Sequence, residues 1–410
     1  MKTRRQHSSP SLTLAINSGS SSIKFALYHE SQFPERLCSG EIERIGLPKA
    51  VFAFREAKSE PKHVLKLTAR NHRDAAKFLI RWLELRVGHA AIAVIGHRIV
   101  HGGGKFSEPA LVTPKLLNEL RRLSPFDEEH VPAELALLET FARAWPSLPQ
   151  VACFDTAFHH QMPRVAQMLA LPRKLEKHGV RRYGFHGLSY EFLLGELARV
   201  AGQHAAHGRL VLAHLGNGAS MAAVHQGKCV DTSMGFTPAA GLPMSTRAGD
   251  LDPGLVLYLA KKEKISPEQF NTMINKKSGL LGVSETSSDM RDLLAREKKD
   301  RRAAEAVALF CYQAKKWIGA YAAALGGLNT LVFAGGIGEN SPTIRQRICA
   351  QLDFLGLVLE PAKNAGNAAV ISTRGSRVTV RVIPTDEALV IARSANRILA
   401  KISRQAKSRK

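Results

Sequence analysis

The chain has 410 residues, 45% of them hydrophobic and 23% charged, with a formal net charge of +23. That length exceeds what one compact core usually holds and points to two domains, while the composition is that of an ordinary globular protein and excludes a disordered or fibrous one. The apolar runs fall far short of a membrane span, aromatic residues are only 6%, and no helix-turn-helix, zinc-finger or RNA-recognition signature accompanies the charge, so neither membrane insertion nor specific nucleic-acid binding is expected.

Residues 1–10 (MKTRRQHSSP) read as a disordered basic leader, because the apolar run 12–16 is too short for a signal-peptide core. Residues 12–17 (LTLAIN) and 23–29 (IKFALYH) read as two strands joined by a small-residue turn. A helical period follows over 71–87, with Ala75, Ala76, Phe78, Leu79, Trp82 and Leu83 apolar. The segment IAVIGHRIVHGGG is a buried strand running into a Gly-rich loop, and VACFDTAFHHQ is another strand with polar residues at its carboxyl edge. The first grammar then returns: 209–215 (RLVLAHL) is a strand, GNGAS a Gly-rich turn, and MAAVHQGKCVDTS a strand, tight turn and strand. Two such hairpins about 200 residues apart suggest a duplicated domain. A long helix over 302–325 leads into the strand LNTLVFAGG and a helix opening at Ser341–Pro342, with Ser as N-cap and Pro at the first position. Strands alternating with helices mean an α/β protein with buried mixed sheets.

The five cysteines, Cys38, Cys153, Cys229, Cys311 and Cys349, are odd in number, scattered and without a CxxC pair. That speaks against a disulfide framework or zinc site and for a reducing cytoplasm. The Lys and Arg clusters at both ends and at 296–302 read as a solvated basic surface, with non-specific nucleic-acid contact the alternative.

Three Gly-rich runs each end a strand: NSGSSSIK (17–24), HLGNGAS (214–220) and AGGIGENS (334–341). Small residues let several backbone N–H groups surround one anion, which is what a phosphate needs. The third run lies between a strand and a helix, where nucleotides commonly dock. Arg98 in GHRIVHGGG and Arg247 in STRAGDLDPG stand in Gly-rich loops, where a guanidinium fork suits phosphate or carboxylate. Asp289 and Arg291 stand in SSDMRDL as candidate ligand contacts, with a surface salt bridge of Arg291 and Asp292 as the other reading. Asp155 in CFDTAFHH and Glu387 in IPTDEAL follow apolar stretches, as hard oxygen ligands for Mg2+ on a phosphate tail do; a paired core carboxylate is the other reading of Asp155. His186, flanked by Gly184 and Gly187, reads as a loop histidine close to a ligand, with a satisfied core histidine as the other reading.

Taken together, NSGSSSIKF, GHRIVHGGGKF, FDTAFH, RRYGFHGLS, HLGNGAS, DTSMGFTPAAGLPMSTRAGDLDPG, NKKSGLLG, SSDMRDL, AGGIGENS and PTDEAL resemble the acetate kinase family, in its order and from Asn17 to Leu389. The resemblance implies two duplicated actin-like, ribonuclease H-like domains with mixed sheets flanked by helices and an active-site cleft between them. Its boundaries would be 11–157 plus about 386–403 for the first domain, 158–385 for the nucleotide-binding second, and 404–410 for a basic tail. It implies reversible phosphoryl transfer between ATP and acetate, with Mg2+ (Mn2+ as the alternative), in a cytoplasmic homodimer. Propionate or another short acid is the alternative acceptor, and an actin-like ATPase or nucleic-acid-binding protein the alternative of another class.

Residue by residue, the resemblance implies that Asn17, Ser20, Ser22 and Lys24 form the first phosphate turn, and that His214, Leu215, Gly216, Asn217 and Gly218 form the second. Asp289, Met290 and Arg291, with Gly336, Ile337, Gly338, Glu339 and Asn340, would hold the nucleotide. Arg98, Arg247, His186 and Asp155 would be catalytic, Asn17 and Glu387 would lie at the metal, and Val100, Phe185 and Pro238 would line the acyl pocket with Arg98. One departure bears on specificity: LSPFDEEHVP stands where the family commonly has LAPLHNP, which puts Glu129 where a pocket leucine is expected. Ser245, Met290, Ala388 and Gln161 also depart from the common residues without removing a catalytic charge.

Overall fold

The computed structural model of the chain describes residues 11–19, 21–30, 34–56 and 60–408; the expected leader and Ser20 lie outside them. The chain divides into two compact units, one formed by the chain up to Ala157 together with Asp386 onward, the other by Phe158–Thr385.

The first unit is built on eight strands: β1 (Leu12–Ser18), β2 (Ser22–His29), β3 (Arg36–Glu43), β4 (Ala50–Arg55), β5 (His63–Leu67), β6 (Ile92–Ile99), β7 (Ala110–Leu111) and β8 (Gln150–Phe154). Their order is β5-β4-β3-β2-β1-β6-β8-β7. Strands β1 to β5 form an antiparallel meander, and β1, β6 and β8 run parallel. β1 is interior, which explains its nearly continuous apolar run. Leu12, Leu14 and Ile16 pack with Leu79 and Leu83 of the helix His72–Arg86, and the helix Glu387–Ser408 lies on β1 and β6. Gly96 of β6 is required there, since a Cβ would stand 2.5 Å from Ile391 Cγ2 of that helix.

The second unit has five strands: β9 (Arg209–Leu215), β10 (Ala219–His225), β11 (Lys228–Thr232), β12 (Thr330–Ala334) and β13 (Thr379–Val382), in the order β11-β10-β9-β12-β13. β9, β10 and β11 are antiparallel, while β9, β12 and β13 are parallel. Leu210, Leu212, Ala222, Val224 and Val332 form its core with Leu193 and Leu197 of the helix Gly187–Ala201. The series β3-β2-β1-β6-β8 and β11-β10-β9-β12-β13 have the same order and the same directions. The duplication suggested by two hairpins thus extends through five strands of each unit.

The helices expected over 71–87 and 302–325 are His72–Arg86 and Arg301–Ala324. Asn71 and Asp300 cap them through side-chain oxygens, which satisfies backbone N–H groups of the first turn. Three local features differ from expectation. The run AGGIGENS is itself helical over Gly335–Asn340. Ser341 stands before the helix Pro342–Cys349, but its hydroxyl makes no capping bond. The C-terminal helix continues through 404–408, because Arg, Gln, Ala and Lys there are good helix formers.

Candidate active site

In the first unit, three parallel neighbours in the sheet bring their carboxyl ends together. Asn17 lies near the end of β1, Arg98 near the end of β6, and Asp155 directly follows β8. Glu387 opens the C-terminal helix. The four side chains form one chain of hydrogen bonds. Asn17 Nδ2 donates to Glu387 Oε2 at 2.7 Å, and Asn17 Oδ1 accepts from Arg98 Nη1 at 3.2 Å. Arg98 Nε donates to both Asp155 oxygens at 3.1 Å, and Nη2 donates to Oδ2 at 2.6 Å. Asp155 is fully buried, and the Arg98 side chain is 15% exposed. Burial alone would lower the Arg98 pKa, but the negative charges of Asp155 and Glu387 outweigh it and raise it, so the guanidinium stays charged. Sequence reasoning expected the Arg98 fork to grip a substrate anion. The structure turns one edge of the fork onto Asp155 and Nη1 onto Asn17 and the Ser18 carbonyl, leaving one Nη2 hydrogen outside this network among the described residues.

The turn after β1 is held from below. Gly19 N–H donates to the Ser22 carbonyl at 2.8 Å. His72 Nε2 lies 2.8 Å from the Gly19 carbonyl, which can only accept, so that nitrogen carries the hydrogen. Burial lowers the His72 pKa and keeps the ring neutral, although the bond to Gly19 opposes this. Ser22 is half-buried, and Lys24 is exposed on β2 directly across from Asn17.

In the second unit the second and third Gly-rich runs meet. Gly335, at φ +75°, packs so closely that a Cβ would stand 2.7 Å from the Leu215 carbonyl oxygen. A Cβ on Gly216 would lie 3.7 Å from the Gly336 nitrogen, and one on Gly218 would lie 3.1 Å from His186 Nε2 and 3.9 Å from Arg247 Nη1. His186, Gly218 and Arg247 therefore converge on one small space. His186 precedes the helix Gly187–Ala201 in a left-handed conformation, φ 58°. Its Nδ1 is bonded to Ser220 Oγ at 2.8 Å, and Ser220 also meets the Tyr190 hydroxyl. The His186 and His214 ring centroids are 4.4 Å apart, and His214 Nδ1 lies 2.8 Å from Ser189 Oγ, which in turn lies 2.9 Å from Thr385 Oγ1. Arg247 Nη1 donates to the Pro238 carbonyl at 3.3 Å.

The chain matches the model of the acetokinase family over residues 12–393. It belongs to that family. It is 46% identical over 390 residues to the acetate kinase of Rhodopseudomonas palustris, covering 94% of this chain and 98% of that one. The crystal structure of Porphyromonas gingivalis acetate kinase superimposes with a TM-score of 0.86 at 39% identity, covering 95% of this chain and 100% of that one. A propionate kinase structure from Francisella tularensis gives 0.88 at 35% identity, covering 94% and 99%. An acetokinase is a phosphotransferase with a carboxylate acceptor and ATP as co-substrate, on an actin-like fold of two mixed sheets flanked by helices.

The remaining expected residues of this acetokinase take the following places. Val100 and Phe185 are buried, and the Phe185 carbonyl accepts from His159 Nε2 at 2.8 Å. Pro238 is half-buried. Leu215 and Met290 are buried in the interior, so their side chains serve packing. Asp289 caps the helix Met290–Arg296 and pairs with Arg291, whose side chain is 89% exposed; the hydrogen bond to Arg291 holds the Asp289 carboxyl below its usual range. The surface ion pair expected of Arg291 thus forms with Asp289 rather than with Asp292, whose carboxylate accepts from Ser287 Oγ at 2.8 Å. Gly336 and Asn340 are exposed, Ile337 is half-buried, Gly338 is buried, and Asn340 Nδ2 donates to the Gly336 carbonyl. Glu339 Oε1 accepts from the backbone N–H groups of Gly335 at 2.9 Å and Thr385 at 3.1 Å, so it fastens the glycine turn to the segment around Thr385. Asn217 is exposed, and its Oδ1 accepts from Ser245 Oγ. Glu129 is half-buried in the turn just before the helix Val131–Ala144, and His130 is bonded to Asp127 at 2.9 Å.

Sequence reasoning missed His72, Ser189, Ser220 and Glu134. Glu134 is 3% exposed, and its Oε1 accepts the Val100 N–H at 3.0 Å. A signal for it existed, since Glu134 occupies the i+3 place on the apolar stripe of Val131, Leu135 and Leu138.

Proposed function

We propose that the protein transfers the γ-phosphoryl group of ATP to acetate, giving acetyl phosphate and ADP, by direct and reversible in-line displacement. The observation that carries this reading is the continuous network of Glu387, Asn17, Arg98 and Asp155 at the ends of β1, β6 and β8. It fixes a charged guanidinium and a carboxylate–amide pair beside the first small-residue turn.

Acetate is ionised at neutral pH and needs no base to become a nucleophile. Its carboxylate oxygen forms the new bond to Pγ, the bond from Pγ to the bridging oxygen breaks, and the electron pair leaves with ADP. The obstacle is the approach of an anion to a polyanion. Arg98, Arg247 and His186 reduce it by presenting positive charge or N–H donors that need no rearrangement at the moment of transfer. Asp155, buried and bonded to Arg98 through three contacts, acts by holding that guanidinium in orientation rather than as a proton acceptor.

Among the described residues no group of three or more metal-type side chains occurs. The single carboxylate Glu387, with the Asn17 amide, suits Mg2+, which takes one or two carboxylates and completes its shell with phosphate oxygens and water. These two residues would hold it, and when bound it supplies positive charge to the phosphate tail. The propionate kinase likeness makes propionate the second acceptor to try.

We also read the protein as a cytoplasmic homodimer. All five cysteines are free and buried, and among the described residues no helix is long and apolar enough to cross a membrane. The helix Gly254–Lys262 leaves Leu255, Val256, Leu257 and Tyr258 exposed, with Leu251 just before it. So many exposed apolar side chains on one short helix favour a second copy as their cover. Light scattering should give twice the chain mass, and Leu257→Glu should shift it to the monomer; a monomeric wild type sinks the dimer. For the function, a hydroxamate assay with acetate, propionate and butyrate plus Mg-ATP should give most product with acetate. ATP hydrolysis indifferent to any acid would overturn it.

A further inference from the structure

Glu134 stands in the first turn of the helix Val131–Ala144, on the face turned to the core. Its Oε1 accepts the Val100 N–H at 3.0 Å, and its Oε2 is closed off from solvent with no hydrogen-bond partner among the described residues. Val100 is two residues beyond Arg98 on the same stretch of chain, just past the end of β6. The other charges near it are already engaged: Arg98 with Asp155, and Asp127 with His130.

A carboxylate buried with a single neutral N–H for company is costly, and a proton on the second oxygen removes most of that cost. Burial pushes the Glu134 pKa well above the usual carboxylate range, and the attraction of Arg98 and the bond from Val100 offset it only in part. An ionised Glu134 would set three carboxylates, with Asp155 and Glu387, against the one Arg98 guanidinium. A site that must admit an anionic acid cannot favour that arrangement.

We infer that Glu134 is a positioning residue for the acyl-binding end of β6: as an uncharged carboxylic acid it fixes the Val100 backbone without setting a further negative charge against Arg98. The inference rests on the proposed carboxylate phosphorylation, in which Val100 and Arg98 meet the acid. It also adds a specificity determinant, because the backbone that carries the pocket residue Val100 is set by this bond.

Two variants and one spectrum test it. Glu134→Gln keeps the length, the neutrality and the acceptor for Val100, so kcat and the acetate KM should stay within about threefold of wild type. Glu134→Leu leaves the Val100 N–H without an acceptor, and one buried unmet donor corresponds to a rise in acetate KM of about tenfold. The nucleotide KM and the turnover at saturating acetate should change by less than about threefold. The infrared spectrum of wild type at neutral pH should show the carbonyl stretch of a protonated carboxylic acid that Glu134→Gln lacks. A loss of more than about thirtyfold in Glu134→Gln, or the absence of that band, would overturn the inference by making Glu134 a working charge. Equal changes in kcat and both KM values in Glu134→Leu would reduce the residue to general structural support. Should Glu134→Leu fail to fold, the glutamine variant and the spectrum still decide. If the wild type phosphorylates no acid at all, the functional reading falls and the acyl role with it, whereas the infrared difference still reports whether the carboxyl carries a proton.

Discussion

The two units use one strand order for opposite chemistry. At the carboxyl ends of β1, β6 and β8 stand side chains with full charges, joined across the sequence by Asn17 and Glu387. At the corresponding ends of β9 and β12 stand glycines, backbone amides and His214, whose ring lies 4.4 Å from that of His186, with Arg247 as the nearby cation. The duplicated topology supplies the same edge twice, but it does not decide what is placed there. One edge is organised by ion pairing, so it should fail when a charge is left alone. The other is organised by close approach of backbones, so it should fail when a Cβ is added.

The largest effect should come from breaking the charged edge. Arg98→Ala removes the guanidinium that pairs with the fully buried Asp155. Breaking a buried pair from one side costs about 3–5 kcal/mol of stability, and loss of one oriented donor lowers turnover by about 100- to 1,000-fold. The double variant Arg98→Ala/Asp155→Ala should recover part of the stability and none of the activity, as read by urea melts and steady-state rates. If Arg98→Ala melts like wild type, the pair is not the organising element of this edge. Arg98→Lys should retain little of the activity, because an ammonium cannot meet Asp155 and Asn17 from one planar group.

The glycine edge gives a smaller and differently divided loss. Gly335→Ala would put a Cβ against the Leu215 backbone at a positive φ, and a strained position of this kind costs about 1–3 kcal/mol. Gly218→Ala meets side-chain rather than backbone atoms, the His186 ring at 3.1 Å and Arg247 Nη1 at 3.9 Å, so its melt should fall by less than that of Gly335→Ala, by about 1 kcal/mol. Its turnover should nevertheless fall about tenfold, because the new methyl displaces His186 and Arg247, the groups proposed to meet the transferring phosphoryl. A Gly218→Ala enzyme with normal turnover would break the claim that this edge works by close approach.

The same contrast governs how legible each edge is in the sequence. The glycine runs announce themselves, since three small-residue clusters that each end a strand are hard to read as ordinary turns, and Arg98 and Asp155 lie in runs whose order is distinctive. The partners are harder. Glu387 and Asn17 are separated by 370 positions and meet only because the C-terminal helix returns to the first sheet. His72 caps nothing and follows no motif; it matters because its ring reaches the Gly19 carbonyl. Glu134 resembles a helix-surface acid until the apolar stripe around it is counted. Met290 and Leu215 illustrate the reverse case, in which a position within a ligand motif carries a side chain that packs inward. Strand β5 escaped because most of it is exposed and lacks an apolar alternation.

Acidification should test the interior beneath the charged edge. His97 lies in β6 beside Arg98, and burial lowers its pKa from 6.5 to about 3, the Gln150 side chain opposing this weakly. The folded state therefore binds its proton later than the unfolded chain. The stability it contributes is complete above pH 6.5 and is lost as pH falls from 6.5 towards 3. The loss is about 1.4 kcal/mol per pH unit, hence about 2 kcal/mol at pH 5. His72 acts in the same direction. Urea melts at pH 7 and pH 5 should show this extra loss in wild type and not in His97→Phe, whose ring keeps the contact with Phe141. An equal pH response in both proteins would remove His97 as the source.

The smallest effect concerns how far the charged edge extends towards the acyl group. Glu129 falls at the position where the family resemblance led us to expect an apolar pocket residue. In the structure it is half-buried, in a turn whose neighbour His130 is fastened to Asp127 by both its backbone N–H and its ring. A carboxylate pressed against a bound methyl would need burial, and burial of an ionised acid without compensation is expensive. Glu129 is only half-buried and does not meet that requirement. Its replacement should therefore leave the pocket unchanged, in contrast to Glu134, whose carboxyl is closed off from solvent in the first turn of the helix that follows. The ratio of kcat/KM for acetate to that for propionate should change by less than about threefold in Glu129→Leu, as for an ordinary surface substitution. A wild type that prefers a longer or polar acid, with acetate preference appearing only in Glu129→Leu, would place the charge inside the pocket. It would then extend the charged edge to the acyl group and replace acetate as the acceptor, while leaving the phosphotransfer itself in force.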